Sequence, residues 1–353
     1  MSGNGKMKAF VYHDVNDGRF VERDIPTILD PRDAIVKVQL STICTSDFHV
    51  LHGAVPSANK GIILGHEFVG DVIAVGDAVK KIKPGDRVVS NVETFCGECF
   101  FCKRGFVNNC VEGGWYLGCR IDGCQTEYVR VPIADNGLTI IPEKLDYVDV
   151  LACSCVLPSG YFGAELAEIH PGDTVVVLGC GPCGYTSMMC ARLFGPAQII
   201  AVDRHDDRGE FALKQGWADV FINPKKQNVE EVVKSLTGGR GADSVIEMAG
   251  KDGTFELAWK VARPNGIVVL TAMYEEDQVL PLPSMYGKNL IFKTGGVDAS
   301  KNQMLVDLIA GGKLNPRPLF THFKPLNDIS NIYNFFMNKE DGCIKVAITP
   351  YEE

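Results

Sequence analysis

Up to about residue 150, apolar positions come in short alternating runs cut by turn residues. Residues 34–40, 68–76, 86–90 and 127–132 each read as a strand. Such irregular, Gly-rich strands predict an all-β first domain. From about Pro158 the pattern changes to a helix over 160–169, an apolar strand over 174–179, a helix over 185–195 and a strand over 199–203. The alternation continues through 245–250, 255–262 and 267–272. Strand and helix in alternation predict a doubly wound parallel sheet with helices on both faces. After about Gly295 come a helix over 302–312, a second around 328–338 and a last strand over 343–348. This tail is too small for a core of its own and is expected to return to the first domain. The fold class is α/β, with one domain over 1–155 and 297–353 and a second over 156–296.

Composition narrows the function without naming it. At 353 residues, 46% hydrophobic and 22% charged, the chain is long enough for two cores. A net charge of -9 argues against a nucleic-acid or anionic-membrane surface, where clustered Lys and Arg would replace counterions. The expected partner is a small molecule. The first residues run into a strand-like segment without an apolar signal region, and no apolar run reaches the length of a membrane span. Thirteen cysteines, an odd number, then point to reduced thiols and metal ligation, and a cytoplasmic protein is expected.

Two motifs carry chemistry on their own residues. Cys96, Cys99, Cys102 and Cys110 place four thiols within fifteen residues, in two overlapping C-x-x-C spacings. That is the usual construction of a closed, structural Zn²⁺ cage. A disulfide is the rival reading, weakened because cysteines three apart bridge poorly. The second motif is the turn Gly179-Cys180-Gly181-Pro182-Cys183-Gly184, between a predicted strand and a helix, with Asp203 ending the next strand. Gly179 permits the tight turn, Gly181 a close approach to a pyrophosphate, and Gly184 close packing of helix on strand. The helix N-terminus would face the phosphates. Asp203 suits the adenosine ribose hydroxyls and opposes a 2′-phosphate, so NAD is expected over NADP; Arg204 and His205 pull the other way.

A third constellation is weaker in its parts: Cys44, the pair His66-Glu67 within Gly65–Gly76, and Cys155 before the second domain. Two cysteines, a histidine and an open position form a catalytic zinc set. With the motif GHE-x2-G-x5-G, the cysteine loop, the glycine turn and Asp203 in this order, the chain resembles the zinc-containing alcohol dehydrogenases of the medium-chain dehydrogenase/reductase superfamily. The resemblance covers nearly the full length and implies a GroES-like β domain joined to a Rossmann domain, with the active site between them. It implies Cys44, His66 and Cys155 as ligands of a catalytic Zn²⁺, with Glu67 as a carboxylate able to move in to ligate. Two zinc ions per chain and one NAD are the cofactors so implied.

The same matching assigns further positions. Cys155, five residues before Gly160, is taken as the third ligand over Cys153, which reads as a small buried residue. Ser46 and His49 match a proton relay from the substrate oxygen to solvent, with His49 nearer the surface and His52 as its substitute. Thr45 replaces an arginine that some relatives use for the pyrophosphate. Lys345 sits where relatives place another cation for that group, Ser159 would lie near the nicotinamide, and Cys183 behind its ring. Trp115, Tyr116 and Phe48 are candidates for lining the substrate pocket; Cys119 and Cys124 are possible substitute ligands. The expected function is reversible hydride transfer between a primary or secondary alcohol and NAD(H), in a homo-oligomer, a tetramer before a dimer. A polyol or sugar-alcohol dehydrogenase is the alternative, since relatives of that kind usually carry glutamate where Cys155 stands. A non-catalytic nucleotide-binding relative is the alternative outside the enzymes.

Overall fold

In the strand Ala34–Ser41, Ala34, Val36 and Val38 point inward and are fully buried, as the alternation of small and β-branched residues dictates. The computed structural model describes residues 5–351 and separates them into two units, one running to Pro158 and resuming at Asp298, the other spanning Ser159–Val297.

The first unit is built on that strand. Phe68–Val75 pairs with it antiparallel over its length, Tyr128–Val131 pairs with residues 34–37, and Lys345–Thr349 meets its end through Ile348 opposite Ser41. The sheet continues to Arg87–Ser90 and Leu138–Ile140 on one side and to Phe320–Pro325 on the other, seven strands in all. A three-stranded sheet places Lys6–Asp14 between Asp17–Asp24 and Ile62–Ile63. The last segment of the chain is part of this core: Ile329, Ile332, Tyr333 and Val346 pack with Phe10, Ile43 and Phe48.

The second unit is a six-stranded parallel sheet in the order Val220–Ile222, Gln198–Val202, Thr174–Leu178, Ala242–Glu247, Ala262–Leu270, Ile291–Thr294. Val175, Val176 and Val177 are all fully buried, because helices cover both faces of the sheet. Chain order reverses at Thr174–Leu178, which lies between the second and fourth strands in sequence, and the loop leaving its C-terminal end is the glycine turn. That switch point is where open α/β sheets bind ligands.

Among the described residues, three α-helices longer than four residues fall outside those read from the apolar pattern. Thr45–Leu51 is short, and Asp206–Lys214 is mostly polar. Val229–Leu236 was legible: the Asn228 side chain accepts from the Glu230 and Glu231 N–H groups, ahead of an amphipathic run. Among the described residues no helix is long and apolar enough to cross a membrane.

Helices Val156–Leu166 and Pro182–Ala191 touch at Gly160, where a Cβ would lie 2.4 Å from the Thr186 carbonyl carbon and 2.6 Å from the Ser187 nitrogen. Backbone cannot retreat as a side chain can. Gly160→Ala is therefore expected to lower stability by roughly 1–3 kcal/mol, read as an earlier thermal unfolding transition.

Candidate functional site

The four thiols of the cysteine loop come together. Ligand atoms of Cys96, Cys99, Cys102 and Cys110 all lie within 4.8 Å of one another, with Sγ–Sγ distances of 3.5 Å for Cys96–Cys110 and 4.0 Å for Cys96–Cys102. A tetrahedron with metal–sulfur bonds of about 2.3 Å has edges of about 3.8 Å, so the cluster fits Zn²⁺. Backbone N–H groups also point at sulfur: Cys96 N–H at Cys110 Sγ (3.2 Å), Cys99 N–H at Cys96 Sγ (3.3 Å) and Cys102 N–H at Cys99 Sγ (3.5 Å). These donors suit thiolates, and that of Cys102 leads the effects that pull the Cys99 thiol down to about 6. Gly97 and Gly105 take the left-handed conformation that folds the loop back, at φ 77° and 80°. No disulfide joins cysteines among the described residues.

A second cluster gathers residues far apart in sequence. One ligand atom from each of Cys44, His66, Glu67 and Cys155 lies within 4.8 Å of the others. Cys44 is the N-cap of helix Thr45–Leu51, and its backbone N–H donates to Asp47 Oδ2 at 2.9 Å. His66 follows Gly65, whose φ of +89° and crowding by Gln125 leave no room for a side chain. Cys155 ends the turn Leu151–Ser154 and is buried. Cys153 is also buried but stands outside the ligand group.

The electrostatics of this cluster suit a cation. A hydrogen bond with Cys155 holds the Cys44 thiol well below its ordinary range, against burial and with help from His66. Burial opposes charge on His66, yet Asp47 more than compensates and raises it. His66 Nδ1 stands 3.3 Å from Asp47 Oδ1, and both groups are buried. A carboxylate on one ring nitrogen orients the other toward a metal. Asp47 is itself held, accepting from Gln125 Nε2 at 3.2 Å, while Gln125 Oε1 accepts from the Tyr333 hydroxyl at 2.9 Å. Sequence reasoning missed Asp47, Gln125 and Tyr333. The one available signal was Asp47 three residues after Cys44, in the position of a capping acid.

Lys345 requires a correction. Expected at the cofactor pyrophosphate, it is fully buried and donates to Glu67 Oε1 (2.9 Å), Glu67 Oε2 (2.7 Å) and the Ile43 carbonyl (3.0 Å). An ammonium has three protons, and all three are used here. Burial opposes the charge on Lys345, but the Glu67 carboxylate outweighs it and keeps the ammonium protonated.

The remaining predicted residues divide. Ser46 and His49 lie three apart on helix Thr45–Leu51 and so share a face. His49, expected nearer the surface, is buried, whereas His52 at the helix end is exposed. Thr45 is exposed. Cys119 lies beside Ser57 and Cys124 faces the Glu67 carbonyl, so neither joins a ligand cluster. Trp115 meets the His66 ring edge-on at 5.7 Å, while Phe48 belongs to the core around Tyr333. Tyr116 lies under the Arg120 guanidinium.

The glycine turn of the second unit has the shape its sequence required. Gly179 has φ +98°, a Cβ on Gly181 would meet nothing within 4 Å, and one on Gly184 would lie 1.8 Å from the Gly179 oxygen. The backbone at Gly181 is thus open to a phosphate, and Gly184 locks the helix Pro182–Ala191 onto the turn. Asp203 accepts from the Cys180 N–H at 2.8 Å and the His205 N–H at 2.9 Å, which braces its carboxylate at the end of Gln198–Val202. Arg208, not foreseen, is buried and donates to the Cys180 carbonyl at 3.0 Å. Arg204 is exposed; Ser159 and Cys183 are half-buried.

Known proteins share both halves. Residues 30–143 match the family described as alcohol dehydrogenase GroES-like domain, and residues 182–308 that described as zinc-binding dehydrogenase. An alcohol dehydrogenase of Cupriavidus necator is 36% identical over 98% of this chain and 99% of its own length. The NADP-dependent isopropanol dehydrogenase of Thermoanaerobacter brockii is 31% identical over 97% and 99%. Among solved structures, zinc-dependent alcohol dehydrogenase 2 from Streptococcus pneumonia superposes with a TM-score of 0.91 at 36% identity, covering 98% of this chain and 99% of that one.

The ion pair of Lys345 with Glu67 supplies a test of the cluster's architecture. Lys345→Met is expected to cost about 3–5 kcal/mol in denaturant unfolding, because it strands a buried carboxylate. Adding Glu67→Gln should recover part of that loss.

Proposed function

We propose that this chain, which belongs to the zinc-type alcohol dehydrogenase family, passes a hydride between a primary or secondary alcohol and NAD(H). The observation that carries this reading is the grouping of Cys44, His66, Glu67 and Cys155 within 4.8 Å. Cys44, His66 and Cys155 would hold a zinc ion, and Glu67, paired with Lys345, stands ready as a further donor. A zinc bound there supplies Lewis-acid polarisation of the alcohol oxygen. Ser46 Oγ would accept the proton that the substrate hydroxyl loses while releasing its own hydroxyl proton, and the His49 imidazole would take that proton on toward solvent. Asp47 keeps His66 in the ligating tautomer throughout. The four thiols of the second cluster would hold a structural zinc with no open position.

In the second unit, the Gly181 backbone and the N-terminus of helix Pro182–Ala191 receive the pyrophosphate, with Ser159 and Cys183 assigned to the nicotinamide end. Asp203 supports NAD as the partner: its braced carboxylate accepts ribose hydroxyls and opposes a 2′-phosphate. We assign the protein to the cytoplasm and to a homo-oligomer. The open edge of the parallel sheet supports self-association, since Ile291–Thr294 is its last strand and Ile291, Leu282, Val279 and Tyr286 nearby are exposed.

The test is metal and cofactor analysis on the purified protein. Two zinc ions per chain and a kcat/KM for NAD above that for NADP are expected; a preference for NADP would overturn the role of Asp203. Ser46→Ala should lower kcat by about 10²–10⁴ with zinc content unchanged, and undiminished turnover would remove it from the proton path. For assembly, Tyr286→Glu with Ile291→Lys should shift sedimentation toward smaller species.

A further inference from the structure

Behind the candidate ligand His66 runs a file of buried side chains that ends on helix Ile329–Asn338. His66 Nδ1 and Asp47 Oδ1 face each other at 3.3 Å, and among the described residues neither atom has a hydrogen bond to any other group. An N–H···O bond is seldom longer than about 3.2 Å, so this contact is at its limit and any retreat of Asp47 would break it. Two donors hold the carboxylate in place through its other oxygen: the Cys44 N–H at 2.9 Å and Gln125 Nε2 at 3.2 Å. Gln125 Oε1 accepts in turn from the Tyr333 hydroxyl at 2.9 Å. Asp47 and Gln125 are fully buried, and Tyr333 nearly so.

The direction of this file is forced by its chemistry. An ionised carboxylate can only accept, so Gln125 must turn its NH₂ toward Asp47 and its oxygen away. That oxygen needs a donor, and the Tyr333 phenol supplies one. Burial, with the Asp47 charge adding to it, raises the Tyr333 hydroxyl well above its ordinary range, so its proton stays in place to be donated. Neither residue is free to drift. The Gln125 N–H donates to the Leu64 oxygen and the Gln125 carbonyl accepts from the Phe10 N–H, both at 2.9 Å, while the Tyr333 ring packs 5.1 Å from Phe10 and 4.9 Å from Phe48. Gln125 Cγ also fills the space beside Gly65, where a Cβ would lie 2.6 Å from it.

We propose that Gln125 and Tyr333 are positioning residues for His66, and that this one-way run of donors from helix Ile329–Asn338 sets how tightly the site of Cys44, His66 and Cys155 keeps its metal. The assignment rests on the zinc dehydrogenase reading and adds to it two residues that stand outside the ligand cluster. With the file intact, Asp47 holds the Nδ1 proton and leaves the other ring nitrogen, with its lone pair, for the ion. Without the Tyr333 donor, the Gln125 amide can turn over and bring its oxygen against Asp47, where two acceptors repel. The carboxylate then backs away, and the imidazole loses the partner that fixes its tautomer and orientation. The four thiols of the cysteine loop take their donors from their own backbone, so that site serves as an internal reference.

The test challenges the zinc-loaded full chain with rising concentrations of pyridine-2,6-dicarboxylate and then fills the emptied sites with Co²⁺. Cobalt absorption differs between a site of four sulfurs and one of two sulfurs and a nitrogen, so the spectrum shows which ion left. In Tyr333→Phe and in Gln125→Leu the site of Cys44, His66 and Cys155 should empty at about tenfold less chelator, with the four-thiol site unchanged. The double variant removes both ends of one buried hydrogen bond, so its thermal transition should recover toward the wild type while the same site still empties early. It also carries the test if a single variant does not fold. Wild-type retention in the double variant, unchanged retention in the folded single variants, or equal losses from both sites would overturn the positioning role and leave the zinc reading intact. A wild-type chain that holds zinc only at its four thiols would overturn the zinc reading and this assignment with it.

Discussion

The candidate metal site of Cys44, His66, Glu67 and Cys155 is built around one buried ion pair. Lys345 lies in the last strand, Glu67 follows the candidate ligand His66, and the Ile43 carbonyl that completes the ammonium's shell precedes the candidate ligand Cys44. A single side chain thus ties three distant segments at the point where ligands must converge. Burying both charges is unfavourable in itself, and near-ideal geometry is needed to offset it. Full use of all three ammonium protons provides that geometry. It also gives a physical reason for the C-terminal segment to pack in the first unit: without it, the buried Glu67 carboxylate would lose the ammonium that hydrogen-bonds both of its oxygens.

Carboxylates recur as braces throughout the candidate sites. Asp47 fixes the Cys44 backbone with one oxygen and faces His66 with the other, and its own position is held through Gln125 by Tyr333. Asp203 performs a similar service for the glycine turn by accepting from Cys180 and His205. In both places a carboxylate and the backbone around it hold each other in a fixed geometry. Preorganisation of this kind keeps ligating groups in place before metal or cofactor arrives. Glu93 stands apart from this pattern because no donor among the described residues reaches its buried Oε2.

Much of the fold was legible because its signals are local. Alternating apolar positions marked Ala34–Ser41 and Phe68–Val75, and continuous apolar runs marked Thr174–Leu178 and Gln198–Val202. Glycines at fixed spacing announced the turn, since Gly184 leaves no space for even a methyl group. Thr45–Leu51 and Asp206–Lys214 were not legible, because one is brief and the other mostly polar, so neither prints a helical apolar stripe.

By itself the sequence determined the ligand chemistry. Closely spaced thiols can only meet in a tight loop, and an invitation to a phosphate is written into the backbone freedom of Gly179 and Gly181. What the tertiary structure decided was where long-range partners went. Lys345 could have served a phosphate or a carboxylate, and only the packing of the last strand against the Cys44 and Glu67 segments chose the carboxylate. His49 and His52 stand three residues apart, yet the helix Thr45–Leu51 buries the first and leaves the second exposed at its C-cap. Spacing along a chain specifies which groups are available, while burial and the reach of distant side chains specify which of them are left to act.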